Sequence, residues 1–125
     1  MSLSSANNKF FNILPETFVM PRDYSAFAAH TVQMRQYDPD QVWIVKPAAL
    51  SRGRGIYLIR EFTELSPNEP LVVQRYIKEP LLISGYKFDL RIYALITSFQ
   101  PLEVFLYKEG FARFSSEKFT LDPEE

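Results

Sequence analysis

The stretch Lys87-Phe88-Asp89-Leu90-Arg91 alternates charged and apolar side chains residue by residue, then runs into Ile92-Tyr93-Ala94-Leu95-Ile96. A period of two belongs to a strand, where successive side chains point to opposite faces. Lys87, Asp89 and Arg91 then share one face, with neighbours about 7 Å apart. Phe88, Leu90 and Ile92 share the other. With apolar runs on both flanks, the segment reads as part of one long central strand from Tyr86 to Phe99, entering the core. A row of cation, anion and cation there is costly unless something polar covers it. A polyphosphate with its metal ion would meet that need. The plainer alternative is a solvated strand face.

The rest of the composition narrows the setting. The chain has 125 residues, 46% of them hydrophobic, with eleven Phe, seven Tyr and one Trp, which suits one modest domain with a packed interior and argues against disorder. The formal net charge is −1, so nothing global points to nucleic acid or to an anionic membrane, and anion binding must come from local placement. Without cysteine there is no disulfide framework and no thiolate metal site, and a single histidine leaves no His-rich site or His-based triad. No apolar run approaches the roughly 20 residues of a membrane span. The start, Met1-Ser2-Leu3-Ser4-Ser5, lacks the pattern of a signal peptide. The expectation is a protein of the cytosol.

Along the chain, residues 1–9 are polar and small and read as flexible or linking. Thr17 to Met20 reads as a short strand ended by Pro21. Asp23 can cap a helix running to about Gln36, with Tyr24, Phe27, Ala28, Thr31 and Met34 on one stripe. Asp38-Pro39-Asp40 is a turn. Val42 to Val45 and Ile56 to Ile59 read as a hairpin around a long loop. Residues 60–68 hold at most a short helix, and Leu71 to Ile77 is a buried strand. Pro80 and Gly85 bound a connector before Tyr86. Gln100-Pro101 turns the chain into a partner strand, Val104 to Lys108, and Phe111 to Phe114 resumes after Gly110. The acidic end, Leu121 to Glu125, reads as frayed. The order predicts an α+β fold with mostly antiparallel pairing.

Several of these positions suggest chemistry. Lys46 ends an apolar strand beside a glycine-bearing loop, where an ammonium can place a point charge on a phosphate or simply be a surface lysine. In Arg52-Gly53-Arg54-Gly55 the glycines would let backbone amides approach an anion and the arginines could add bidentate contacts. The loop matches neither a Walker A sequence nor a dinucleotide fingerprint, and a flexible hairpin tip is its plain meaning. Gln74-Arg75-Tyr76-Ile77 closes a strand before a connector. It could offer backbone groups to an adenine edge while Ile77 packs on the ring, or be an ordinary strand end. Arg113 lies between Phe111 and Phe114, and its plain reading is an ion pair with Glu103 or Glu109. His30 reads as a helix-surface residue and Trp43 as core.

Six blocks in order resemble the tubulin tyrosine ligase-like family. They are Trp43-Ile44-Val45-Lys46-Pro47, Ser51-Arg52-Gly53-Arg54-Gly55-Ile56, Gln74-Arg75-Tyr76-Ile77, Lys87-Phe88-Asp89-Leu90-Arg91, Leu106-Tyr107-Lys108-Glu109-Gly110 and Ala112-Arg113-Phe114-Ser115. The likeness covers about residues 10–120, and the Arg-Gly-Arg-Gly block is closer to the polyglutamylating branch than to the tyrosinating enzyme. It implies an incomplete ATP-grasp fold in two lobes, with residues 1–75 part of the central lobe and 76–125 the start of the carboxy-terminal lobe. It implies an ATP-dependent, Mg2+-dependent ligase adding glutamate to glutamate side chains of tubulin C-terminal tails through an acyl phosphate. Free glutamate would be the incoming substrate, with neither nucleic acid nor membrane as partner. The setting would be the cytoplasmic cytoskeleton, cilium and basal body included.

The same resemblance assigns roles. Lys46 and Lys87 would hold ATP phosphates or the nucleotide edge. Arg52 and Gly53 would sit over the phosphates, with Arg52 also catalytic and reaching the acceptor carboxylate. Gln74, Arg75, Tyr76 and Ile77 would cradle the adenine, Phe88 would line the nucleotide site and Asp89 would orient ATP. Arg91 would stabilise charge near the transferred phosphoryl, and Arg113 would hold the carboxylate of the incoming amino acid. The family's metal-ligating block has no match within the 125 residues, so the magnesium ligands are expected beyond residue 125 and this stretch alone is expected not to ligate. Two alternatives stand beside this reading: a catalytically inactive module that binds nucleotide or tubulin, and another ATP-grasp ligase acting on a small-molecule carboxylate.

Overall fold

The computed structural model describes residues 13–49, 54–66 and 68–121. The expectations for residues 1–9, for Arg52 and Gly53 and for the acidic end from residue 122 fall outside the described residues. The chain divides into two compact units, residues 1–77 and 78–125. Among the described residues every strand pairing is antiparallel and there is one α-helix.

In the first unit, β1 (Thr17–Val19), β2 (Trp43–Pro47), β3 (Tyr57–Ile59) and β4 (Leu71–Arg75) form a sheet in the order β1-β4-β2-β3. The register Trp43↔Arg75, Ile44↔Gln74, Val45↔Val73 sorts the side chains by face. Phe18, Trp43, Val45, Ile59, Leu71 and Val73 turn to the face that α1 (Tyr24–Met34) covers, and they form the core with Met20, Phe27 and Leu65. Trp43 is fully buried, with Phe27 edge-on at 5.0 Å and Phe18 at 5.8 Å between ring centroids. Its Nε1 donates to Gln41 Oε1 at 3.2 Å, and Gln41 Nε2 donates to the Thr31 carbonyl at 2.8 Å, so the indole N–H and the buried Gln41 amide are both paired. The helix turns the expected stripe inward: Phe27 and Thr31 are buried, with Tyr24, Ala28 and Met34 half-buried.

Asp23 holds the position before the helix, yet its carboxylate turns back rather than capping forward. Oδ2 accepts the Val19 N–H at 2.9 Å, and Arg22 Nε and Nη2 reach the two oxygens at 2.8 and 3.0 Å. The Arg22 hydrogen bond, then the Val19 amide, hold the Asp23 carboxyl down at about 2, below its ordinary 3.8. A carboxyl more acidic in the folded state than in the unfolded one stabilises fully above its unfolded value and stops doing so as pH falls through its folded value. Asp23→Asn should therefore lower stability at pH 7, with the gap to wild type closing between about 4 and about 2. Urea midpoints measured from pH 7 to pH 2 check this, and a gap that stays constant would contradict it.

In the second unit, β5 (Leu82–Ile83), β6 (Tyr86–Arg91) and β9 (Phe111–Lys118) form one sheet in that order, and β7 (Ala94–Phe99) with β8 (Leu102–Leu106) forms a separate hairpin. β5 and β6 meet through a two-residue turn, Ser84-Gly85, with φ of 54° and 85°, the primed geometry that suits right-twisted strands. The single long strand expected from Tyr86 to Phe99 is broken at Ile92-Tyr93. The ladder passes from Arg91↔Phe111 to Ala94↔Leu106, so two residues on one side face four on the other. Gly110 sits in that excess, where a Cβ would come within 2.7 Å of the Arg91 carbonyl oxygen. The step forces β6 and β7 to take different partners.

The expectation of a packed interior throughout also needs correcting. Among the described residues the buried apolar side chains all lie between Met20 and Val73. In the second unit Leu90, Leu95, Phe99 and Leu106 are each more than 60% exposed.

Candidate functional site

The face of the first sheet turned away from α1 carries Thr17, Ile44, Lys46, Val72 and Gln74 by the same alternation. Lys46 Nζ donates to Gln74 Oε1 at 2.7 Å, Gln74 Nε2 donates to Thr17 Oγ1 at 2.9 Å, and Thr17 Oγ1 donates to the Pro15 carbonyl at 2.8 Å. This relay fixes the ammonium over the sheet. An ammonium has three donors, so holding Gln74 still leaves capacity for an anion. Leu58 and Val19, each about 40% exposed, supply apolar surface on the same face.

Arg75 follows Gln74 and therefore turns to the opposite, helix-covered face, opposite Trp43. There Nη2 reaches Asp38 Oδ2 at 2.7 Å and Nη1 reaches Glu16 Oε2 at 3.2 Å. Sequence reading assigned nothing to Glu16, saw Asp38 only as a turn residue, and placed His30 on the helix surface. His30 instead packs against Phe18 and Trp43, at 5.4 and 5.8 Å between ring centroids. Its Nε2 lies 3.2 Å from the same Glu16 oxygen, close but not aligned for a hydrogen bond. The helical spacing that sets His30 three residues after Phe27 and next to Thr31, both buried, was the signal that could have found it. At the strand's end Tyr76 N donates to the Val42 carbonyl at 2.9 Å, and the Ile77 side chain is exposed.

In the second unit β6 is the middle strand of its sheet, and Asp89 stands directly opposite Arg113 on β9. Arg113 holds Asp89 side-on: Nε donates to Oδ1 at 2.8 Å and Nη2 to Oδ2. This replaces the pairing with Glu103 or Glu109 that the sequence suggested, because the register sets Arg113 across from Asp89 while Glu103 accepts from the Thr97 hydroxyl. The Arg113 hydrogen bond, then the charges of Arg113 and Arg91, hold the Asp89 carboxyl below the usual carboxylate range, and the Arg113 guanidinium is correspondingly raised. Lys87 Nζ sits 5.6 Å from the centre of the Phe119 ring. Phe88 and Phe114 stack at 5.5 Å. Lys87, Phe88, Asp89, Arg113, Phe114 and Ser115 line an open depression of about 340 Å³. The Asp89 and Arg113 side chains are each about half exposed, so the charged row is not driven into a core as the alternation suggested, and desolvation does not by itself demand a polar cover.

The guanidinium has five donors, and Asp89 occupies only the Nε/Nη2 edge. The Nη1/Nη2 edge has the geometry for a second carboxylate. Among the described residues no three His, Asp or Glu side chains gather to hold a metal ion. No helix among them is long and apolar enough to cross a membrane.

Each surface presents strand-borne cations beside neighbouring polar groups, a chemistry that suits anionic ligands. The model of the tubulin-tyrosine ligase family matches residues 1–125, and the chain belongs to that family. It is 47% identical over 112 residues to the human tubulin polyglutamylase TTLL5, covering 89% of this chain and 8% of that protein. It is 48% identical over 113 residues to the human probable tubulin polyglutamylase TTLL2, covering 89% of this chain and 19% of the relative. A probable alpha-tubulin polyglutamylase, Ttll1, of Tetrahymena thermophila is 43% identical over 133 residues, covering 94% of this chain and 31% of the relative. The chain thus spans less than a third of the length of each of these relatives.

Proposed function

We propose that the protein works as an ATP-dependent ligase that adds glutamate to glutamate side chains of tubulin tails. The observation that carries this reading is the 47% and 48% identity, each over 89% of this chain, to relatives named as tubulin polyglutamylases. The chemistry that suits it is transfer of the γ-phosphoryl of ATP to an acceptor carboxylate oxygen, with ADP leaving. The incoming amine nitrogen then attacks the acyl carbon, and phosphate leaves as the isopeptide bond forms. Such a reaction asks the protein mainly for positioning and charge stabilisation.

In this reading residues 1–75 belong to the central lobe of an ATP-grasp fold and 76–125 to its carboxy-terminal lobe. Lys46 and Lys87 hold phosphate oxygens, Asp89 orients the nucleotide and Arg91 offsets charge at the transferred phosphoryl. The backbone at Tyr76 and Ile77 meets the adenine edge, and Phe88 supports the nucleotide site. Arg52 and Gly53 bind the phosphates, and Arg52 also binds the acceptor carboxylate. Magnesium, when bound, supplies charge neutralisation of the phosphates. Arg113 receives the carboxylate of free glutamate on its Nη1/Nη2 edge while Asp89 holds the other edge. The cytoskeleton is the corresponding location.

The test is mass spectrometry of tubulin tails incubated with the full-length protein, ATP and single amino acids. The expected result is added glutamate on glutamate side chains. Addition only to a small-molecule carboxylate, or no addition, would contradict it. A narrower expectation follows for Arg113→Ala. Losing a charged hydrogen-bond pair should raise the KM for glutamate about tenfold or more, while the KM for ATP moves far less. Equal changes in both would remove Arg113 from the amino acid site.

A further inference from the structure

We propose that Glu16 and Asp38 form a carboxylate clamp on Arg75, and that the clamp positions the strand end Gln74–Ile77 for the nucleotide, with Arg75 acting as a positioning residue. This rests on the proposed function, where the same strand end meets the adenine, and it says how that segment is held. Alternation along β4 puts Gln74 on the open face with Lys46 and puts Arg75 on the opposite one. The guanidinium is thereby directed away from the face where an anion would be held.

What Arg75 does hold is the local backbone. Its N–H donates to the Glu16 carbonyl at 2.8 Å, while its Nη1 reaches the Glu16 carboxylate at 3.2 Å. Its Nη2 reaches Asp38, just beyond the carboxy-terminal end of α1, at 2.7 Å. The segment entering β1 and the turn leaving α1 are therefore tied to one residue. That residue is also the last of β4: the β1 ladder ends at Thr17↔Gln74, and the β2 ladder ends at Trp43↔Arg75. Beyond it, Tyr76 N–H to the Val42 carbonyl at 2.9 Å continues the path of the strand toward Ile77. The Arg75 and Asp38 side chains are 30% and 19% exposed, so this pair is more shielded than a surface ion pair. A planar fork with two separate edges serves two carboxylates at once, which an ammonium cannot do with the same geometry.

The experiment is calorimetric titration of ATP into the full-length protein and into Asp38→Asn, Arg75→Gln, Arg75→Lys and Glu16→Gln, with a thermal melt of each. The clamp predicts that Asp38→Asn and Arg75→Gln both weaken ATP about tenfold, about the coupling expected within one charged network. Arg75→Lys should recover only part of the loss, and the KM for glutamate should stay near wild type. If Arg75 instead touched ATP, Asp38→Asn would leave ATP affinity unchanged or tighten it by freeing the cation, while Arg75→Gln weakened it. That opposite pair of signs overturns the clamp. Lower melting temperatures with unchanged ATP affinity also overturn it, since the network would then be only structural. Should Asp38→Asn fail to fold, Glu16→Gln carries the same prediction. A wild-type protein that binds ATP but adds no glutamate to tubulin defeats the ligase reading alone, because the clamp is read from ATP affinity. One that does not bind ATP defeats both.

Discussion

Replacing Lys87 or Asp89 with alanine in the full-length protein is expected to lower ligation by about 10²–10³-fold, the usual consequence of removing one preorganised charge contact at a reacting phosphoryl or acyl centre. The two losses differ in kind. Lys87→Ala removes an ammonium near the Phe119 ring, and with it a point charge on the lining of the depression. Asp89→Ala removes the group that holds Arg113 side-on, so it also releases the guanidinium proposed to receive glutamate. Asp89→Ala should therefore raise the KM for glutamate as well as lower kcat, whereas Lys87→Ala should act mainly through ATP. Neither substitution should unfold the protein. The Asp89–Arg113 pair is half exposed, and exposed pairs contribute little to stability. Steady-state turnover with tubulin and glutamate, alongside a thermal melt, is the check. Turnover within a factor of two of wild type in either variant would take that residue out of the site.

The largest effect on stability is expected at Trp43. Its side chain is fully buried and makes edge contacts with Phe18, Phe27 and His30. Truncation to alanine should cost about 3–5 kcal/mol through lost apolar burial and the cavity left behind. Gln41, itself buried, would lose the Trp43 N–H that its Oε1 accepts. Set against the roughly 5–15 kcal/mol that a domain has in total, this is close to unfolding it. Trp43→Phe keeps most of the aromatic packing and should cost less. Urea denaturation of both variants measures the difference, and a loss under about 1 kcal/mol for Trp43→Ala would contradict the packing described here.

Much of the first unit was legible because its signals are local and periodic. The stripe Tyr24, Phe27, Ala28, Thr31, Met34 specified a helix, and the β-branched runs around Trp43 and Val73 specified strands with one face inward. The second unit was harder for identifiable reasons. The break at Ile92-Tyr93 depends on which strand each half pairs with, and an apolar run carries no mark of a change of partner. The short strand β5 does carry a local signal, the apolar Leu81-Leu82-Ile83 followed by the two-residue turn Ser84-Gly85. The abundance of aromatic and aliphatic residues suits one packed interior, yet exposure depends on what covers a sheet, and composition does not say.

At the candidate site, the row Lys87, Asp89, Arg91 could be read from alternation, but its ion-pair partner could not. Arg113 is 24 residues from Asp89, and only the β6–β9 register brings the two face to face. The Lys46–Gln74–Thr17 relay likewise joins three strands across 28 and 57 residues of chain. Arg75 shows the reverse lesson. Its neighbour Gln74 lies on the open face, and one step of the strand is enough to send Arg75 to the covered side, among the carboxylates of Glu16 and Asp38. Adjacency in the motif did not mean adjacency in the site.

In the proposed function, the strand-borne lysines Lys46 and Lys87 hold the nucleotide. Titration of ATP into the full-length protein and into its Lys46→Ala and Lys87→Ala variants tests this most directly. The expected result is saturable ATP binding by wild type and a loss of about tenfold or more in each variant, in line with one charged contact to phosphate. Wild-type affinity for ATP in both lysine variants would contradict it.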